Sequence, residues 1–374
     1  MSVEQYIGCL LLGGAGDALG YHLGEWEFNT QDNILKGIEE LGGIDKIKLE
    51  GTPWIVSDDT VLHIATAEGM LAPATTMKQL IINVFQAYCF GMKKMAGRAP
   101  GGTCCRYLYG DKDVNTWNTV PFSGSGGGCG AAMRSMCIGL RFPSPELLPN
   151  LIITAIETGR LSHHHPTGYL GGVGVAAFTS YALQKIPLVA WGAKFRDEVI
   201  PLCKEHIKGM EDREPERNLE AFAYFEENWN KYLTLRGIDE KDNTKEPVFP
   251  TSYGLKERDI FFKSVSFNGR GGASGHDILI IAYDCLLHTM HEPPEKMWNE
   301  LLMHSAVHSG DSDSTAGVAC SLYGAMYGID GVNPLHLDTL EFRHEMRFFA
   351  KQLFEKAHKS DDPLNKPVPL GKLE

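Results

Sequence analysis

Two short acidic runs near opposite ends of the chain constrain its fold more than any other feature: Ser57-Asp58-Asp59-Thr60 and Gly310-Asp311-Ser312-Asp313-Ser314-Thr315. Each crowds two carboxylates among hydroxyls. Each leads at once into a small, apolar, helix-compatible run, Val61–Ala65 after the first and Ala316–Cys320 after the second. Asp, Ser and Thr are preferred N-caps, so both runs read as helix starts. A capped helix explains either run alone, but one cap needs only one oxygen and the second run offers many more. Carboxylates gathered in one place cannot all stay ionised and buried without cations. Oxygen-only donors suit a hard cation such as magnesium. Two adjacent metals can clamp a polyhydroxyl or activate a water. If the runs meet, the whole chain has to close around them. That predicts one domain spanning residues 1–374 and a two-metal hydrolase.

Apolar spacing says what closes up. Met77 to Met92 places Leu80, Ile81, Val84, Phe85 and Tyr88 at helical intervals. Val3–Leu12, Ala131–Leu140, Leu147–Glu157, Gly168–Leu183, Asn218–Tyr232, Ile278–Leu287, Trp298–His308, Asp313–Tyr327 and Leu340–Ala357 read the same way. Period-2 strands are almost absent. The predicted fold is all-α, a compact single-domain multi-helix bundle around a two-magnesium centre. Residues 201–250 form the most charged stretch and read as a solvated surface helix and loop.

The net charge of −12 argues against non-specific nucleic-acid binding and against an anionic membrane surface. An anionic ligand then needs metals or backbone N–H groups instead of a basic patch. No segment approaches about 18 uninterrupted apolar residues, so no membrane span is expected. The run Ile7–Leu12 is too short for a signal peptide. The nine cysteines are scattered without a CxxC pair, as in a reduced, cytoplasmic protein. A monomer is expected.

The 41 glycines concentrate at 97–102, 124–130, 168–174 and 269–275, read as loops whose backbone N–H groups can approach a ligand. The 124–130 run feeds a helix, which makes an anion site, but no Gly-Lys-Ser/Thr follows. On this reading a diphosphate lies on glycine backbone, and the Arg134 and Arg270 charges matter less. Gly16-Asp17 reads as a helix end near the metal site. His163-His164-His165-Pro166 reads as a fixed loop before a helix, with one ring able to reach a phosphate or hydroxyl, because consecutive histidines cannot all face one ion.

Together these motifs resemble the ADP-ribosylglycohydrolase family over nearly the whole chain. The resemblance is carried by Gly16-Asp17-Ala18-Leu19-Gly20, Val56-Ser57-Asp58-Asp59-Thr60, Gly128-Cys129-Gly130-Ala131-Ala132-Met133-Arg134, Gly271-Gly272-Ala273-Ser274-Gly275-His276-Asp277 and Gly310–Thr315. Trp26-Glu27-Phe28, Gly97-Arg98-Ala99-Pro100-Gly101-Gly102 and His163–Tyr169 are most similar to its ADP-ribosylarginine hydrolase branch. The resemblance implies two Mg2+ ions at Ser57, Asp58, Asp59, Asp311, Asp313 and Ser314. It implies catalytic roles for Asp58, Asp59 and Glu27, with Glu25 a nearby competitor for the last. Substrate contacts are implied at Gly101, Gly102, Thr103, Gly127, Gly128, His163, Gly168, Gly269, Gly271, Ser274 and Gly275. The implied reaction frees arginine from ADP-ribosyl-arginine or ADP-ribosylated proteins, with ADP-ribose as product. Hydrolysis of an ADP-ribosyl-serine or other ADP-ribose conjugate stays open, as does a non-catalytic binding or structural role. Arg270 and Thr103-Cys104-Cys105 depart from the family's pattern and bear on substrate preference.

Overall fold

The computed structural model describes residues 1–240 and 245–374. Its helices are Val3–Tyr21 (α1), Gln31–Glu40 (α2), Asp58–Leu71 (α3), Met77–Gly91 (α4), Gly102–Leu108 (α5), Met136–Arg141 (α6), Leu148–Arg160 (α7) and Pro166–Leu183 (α8). They continue with Trp191–Lys194 (α9), Ile200–Gly209 (α10), Pro215–Arg236 (α11), Leu255–Val265 (α12), Gly275–Thr289 (α13), Pro294–Ala306 (α14), Ser312–Tyr327 (α15) and Arg343–Ala357 (α16). Among the described residues, the extended pairing is an isolated antiparallel bridge between Gly128 and Ser274. The all-α expectation holds. No described helix is long and apolar enough to cross a membrane.

Helix α1 organises the rest. Ser2 and Gln5 close a capping box at its start, and nearly every residue from Gln5 to Tyr21 is buried. The predicted helix over 3–12 runs on through Gly13, Gly14 and Gly16. Glycine weakens a helix interior by about 1 kcal/mol relative to alanine, so packing has to offset it. It does so against α15. A Cβ on Gly8 would lie 2.7 Å from the Gly324 carbonyl oxygen, and one on Gly16 would lie 2.5 Å from the Ala316 oxygen. One on Gly20 would lie 2.5 Å from the Asp313 nitrogen. The two backbones therefore touch along an antiparallel seam. It sets the acidic start of α15 beside the end of α1.

Glycine plays the same part in α8. The segment 168–174, predicted both as helix and as a ligand loop, is the buried interior of α8. Gly168 lies against the Gly126 carbonyl, and Gly171 lies against Gly275 at the start of α13. These glycines seat helices instead of presenting N–H groups to a ligand.

Helices α2, α5, α9, α10 and α12 fall outside the predicted set. In α2 only Gln31, Ile34 and Ile38 are buried, and in α12 only Arg258 and Phe262. Apolar stripes that narrow leave no periodic signal. The predicted helix 131–140 is shorter, α6 being preceded by a 3₁₀ turn at Cys129–Ala131. Residues 201–250 are not merely surface. Helix α11 buries Phe222, Phe225, Trp229, Tyr232 and Leu233.

Candidate metal centre and active-site cleft

The first acidic run opens α3 as its spacing predicts. The Ser57 hydroxyl accepts the Asp59 N–H at 3.1 Å, which caps the helix and leaves Asp58 and Asp59 in the first turn. What fixes this turn is Asp17, which lies inside α1 and is not the helix end predicted for it. Its carboxylate accepts the Ser57 N–H at 3.0 and 3.1 Å, the Thr60 N–H at 3.1 Å and the Thr60 hydroxyl at 2.5 Å. A second brace comes from Arg98. Its guanidinium donates to the Val56 carbonyl and pairs with Glu341 at 2.7 Å, while Glu341 accepts the Val56 N–H.

The second run opens α15. Asp311 N–H donates to the Gly271 carbonyl at 2.7 Å, and Phe28 N–H donates to the Gly310 carbonyl at 2.8 Å. The turn is thus gripped by the 269–275 loop on one side and the Glu27 loop on the other. Phe28 adopts φ +54°, a left-handed conformation uncommon for a bulky residue and kept where surroundings over-determine it. The runs then meet directly. The Ser314 hydroxyl donates to Asp59 Oδ2 at 2.7 Å. Carboxylate oxygens of Glu27, Asp311 and Asp313 lie within 4.8 Å of one another. Asp313 Oδ1 is buried with no hydrogen-bond partner. Cys129 Sγ sits 3.3 Å from Asp311 Oδ2. An orphaned buried oxygen beside converging carboxylates fits a hard cation.

Without cations these carboxylates resist ionisation. Burial, then Asp311 and Asp17, push Glu27 up to about 7, against the opposing pull of Arg270. Burial, then Asp17, Asp311 and Glu27, push Asp58 up to about 8. Burial and their acidic neighbours hold Asp59 and Asp313 well above the usual range. A carboxyl whose pKa is raised on folding binds protons more tightly in the folded state. Its stabilising contribution is present at low pH and lost as pH rises toward the folded value. The melting temperature of chelated protein should therefore fall between pH 5 and 8. A flat profile in calorimetry would show that these groups do not interact as described.

The carboxylates line a cleft of about 370 Å³. Glu27, Asp58, Asp59, Asp311, Asp313 and Ser314 lie in it, with Gly101, Gly102, Thr103, Gly128 and His163. A second cavity, about 740 Å³, shares Gly128, Arg270 and Ala273 with the first and takes in Gly127 and Ser274. Ser57, Gly168, Gly269, Gly271 and Gly275 line neither. Ser57 is buried as the α3 cap, Gly168 and Gly275 seat α8 against its neighbours, and Gly271 offers its carbonyl to Asp311. The histidine run divides as a fixed loop would. His163 faces the cleft, held neutral by burial and by Arg134, which lower it to about 3. His164 bonds to the Val120 carbonyl, and His165 caps α8 and borders the second cavity. Arg134 is buried in hydrogen bonds to Thr158 and Ser162, so its part is structural. Sequence reasoning missed Tyr224 and Glu220 of α11, which wall the second cavity. Helical spacing marked the buried face of that helix, but nothing marked its other face.

Fold and site define an all-α protein whose two acidic runs, far apart in sequence, converge on an oxygen-donor cleft suited to divalent cations. The chain belongs to the ADP-ribosylglycohydrolase family, whose sequence model matches residues 2–363. It is 38% identical over 366 residues to the ADP-ribosylhydrolase ARH1 of Dictyostelium discoideum, covering 92% of each chain. It is 30% identical to a putative ADP-ribosyl glycohydrolase, L444, of Acanthamoeba polyphaga mimivirus, over 88% of this chain and 66% of the viral one. It is 25% identical to human ADP-ribosylhydrolase ARH3, over 96% of this chain and 95% of that one. A solved structure described as an ADP-ribosylglycohydrolase-related protein complex superposes with a TM-score of 0.57 at 18% identity, covering 95% of this chain and 98% of that one. At that identity it supports the fold alone.

Proposed function

We propose that this protein removes ADP-ribose from arginine by hydrolysing the α-N-glycosidic bond, with two magnesium ions as cofactor. The observation that carries the reading is the junction of two unlike cavities at Gly128, Arg270 and Ala273. One is lined by five carboxylates and suits a ribose held through cations. The other holds no Asp and a single Glu, and suits the remainder of an ADP-ribosyl group. The arginine linkage rests on the likeness of the Trp26-Glu27-Phe28 and Gly97–Gly102 motifs to that branch.

In this proposal Asp58, Asp59, Asp311, Asp313 and Ser314 hold the ions, with Glu27 at their edge and Ser57 behind them as the cap. When bound, magnesium supplies the positive charge that polarises a water and steadies the ribose hydroxyls. Ser314 holds Asp59 by its hydrogen bond, whereas among the described residues no side chain donates one to Asp58. Asp58 is therefore assigned the role of accepting the proton of the attacking water. The water oxygen bonds to C1″ as the C1″–N bond breaks through an oxocarbenium-like state. The linked guanidinium takes the C1″–N electron pair and so departs as neutral guanidine. The proton that Asp58 took from the water ends on that guanidine, which is released as guanidinium, so no second acid has to supply one. His163, neutral and fixed by Ser162, orients the sugar side of the substrate.

The test is product release from matched ADP-ribosyl-arginine and ADP-ribosyl-serine peptides at one magnesium concentration. Arginine release well in excess of serine release is expected. Turnover of the serine peptide alone would reassign the linkage within the same family.

A further inference from the structure

Among the described residues Arg270 is the only Lys or Arg lining either cavity, and it lines both. It stands where the acidic cleft opens into the larger cavity. Its guanidinium has no carboxylate within ion-pair distance among the described residues. It stacks on Phe28, whose ring centre is 4.3 Å from Cζ. A guanidinium stacked on an aromatic uses its face and leaves its N–H edge free. That edge matches two oxygens of a phosphate. Phe28 itself is anchored by its N–H to the Gly310 carbonyl and held at φ +54°. The stack thus ties the loop carrying Glu27 to the loop dividing the two cavities.

We propose that Arg270 binds the diphosphate of the substrate through its free N–H edge, with Phe28 as the positioning residue that holds the guanidinium at the junction. This rests on the function proposed above and departs from the sequence expectation that glycine backbone carries the diphosphate and the Arg270 charge matters less. Where an anionic linker leaves the acidic cleft for the larger cavity, Arg270 is the cationic side chain at that point among the described residues. The stacked geometry separates its role from that of a free surface charge. A lysine at 270 would keep the charge and lose the paired donors.

Calorimetric affinities for ADP-ribose, ADP and adenosine, at fixed magnesium, test this in the wild type, R270A, R270K, F28A and the double variant. Charge-assisted hydrogen bonds lead us to expect a loss of about 10- to 100-fold for ADP-ribose and ADP in R270A, with adenosine unchanged. R270K should recover part of the loss. F28A should lose less than R270A, and the double variant no more than R270A, because Phe28 acts through Arg270. Salt should weaken wild-type binding more than R270A binding. If R270A binds ADP as the wild type does, or loses adenosine equally, the proposal is wrong. A wild type that binds neither ADP nor ADP-ribose would overturn the proposed function, and this assignment with it.

Discussion

Replacing Asp313 by asparagine should reduce turnover by about 10²- to 10⁴-fold while leaving the protein folded. Asp313 is buried in the first turn of α15, and its Oδ1 has no partner in the protein. The substitution keeps shape and removes the negative charge that a cation requires. Lewis-acid catalysis contributes several kcal/mol, and each 1.36 kcal/mol is about tenfold in rate. The variant should also need more magnesium to reach its own maximum. Its chelated form should lose part of the instability at neutral pH, since one carboxyl raised by burial and by Asp311 is gone. A variant with wild-type turnover and unchanged magnesium dependence would remove Asp313 from the site.

Asp17→Asn should destabilise the protein by about 3–5 kcal/mol, through donors left without acceptors. The Asp17 carboxylate receives the Ser57 N–H, the Thr60 N–H and the Thr60 hydroxyl. Burial pushes its pKa up, and the hydrogen bonds from Thr60 and Ser57 oppose that. Asparagine offers one acceptor oxygen and turns an NH2 group toward the remaining donors. The α3 start then shifts, and Asp58 and Asp59 shift with it. For a chain this long the expected fall in melting temperature is about 4 to 6 °C. Activity should fall although Asp17 lines neither cavity. An unchanged melting temperature would mean that this hydrogen-bond set does not hold α3.

Asp17 also shows where sequence reasoning ends. Ser57-Asp58-Asp59-Thr60 was legible because a cap and its first turn are local chemistry. The long helices α4, α13 and α15 were legible from apolar spacing. The role of Asp17 depends on partners in another helix, which no local pattern reports. Gly168–Gly174 was ambiguous because dense glycine serves both a ligand loop and a close helix crossing. The crossing is settled only by what lies opposite, here Gly126 and Gly275. The junction residue Arg270 showed in the sequence only as a departure from the family's pattern. Its position beside Phe28 depends on a contact between segments far apart in sequence. Tyr224 was hidden in a stretch whose charge read as solvent-facing.

The most direct test of the account is arginine release from ADP-ribosyl-arginine by protein freed of metal and then given magnesium. The central claim is that carboxylates from the two ends of the chain form one cation-dependent catalytic cleft. It predicts no release after thorough chelation, recovery on adding magnesium, and free ADP-ribose formed in equal amount with the arginine. Full turnover by protein verified metal-free by elemental analysis would contradict it.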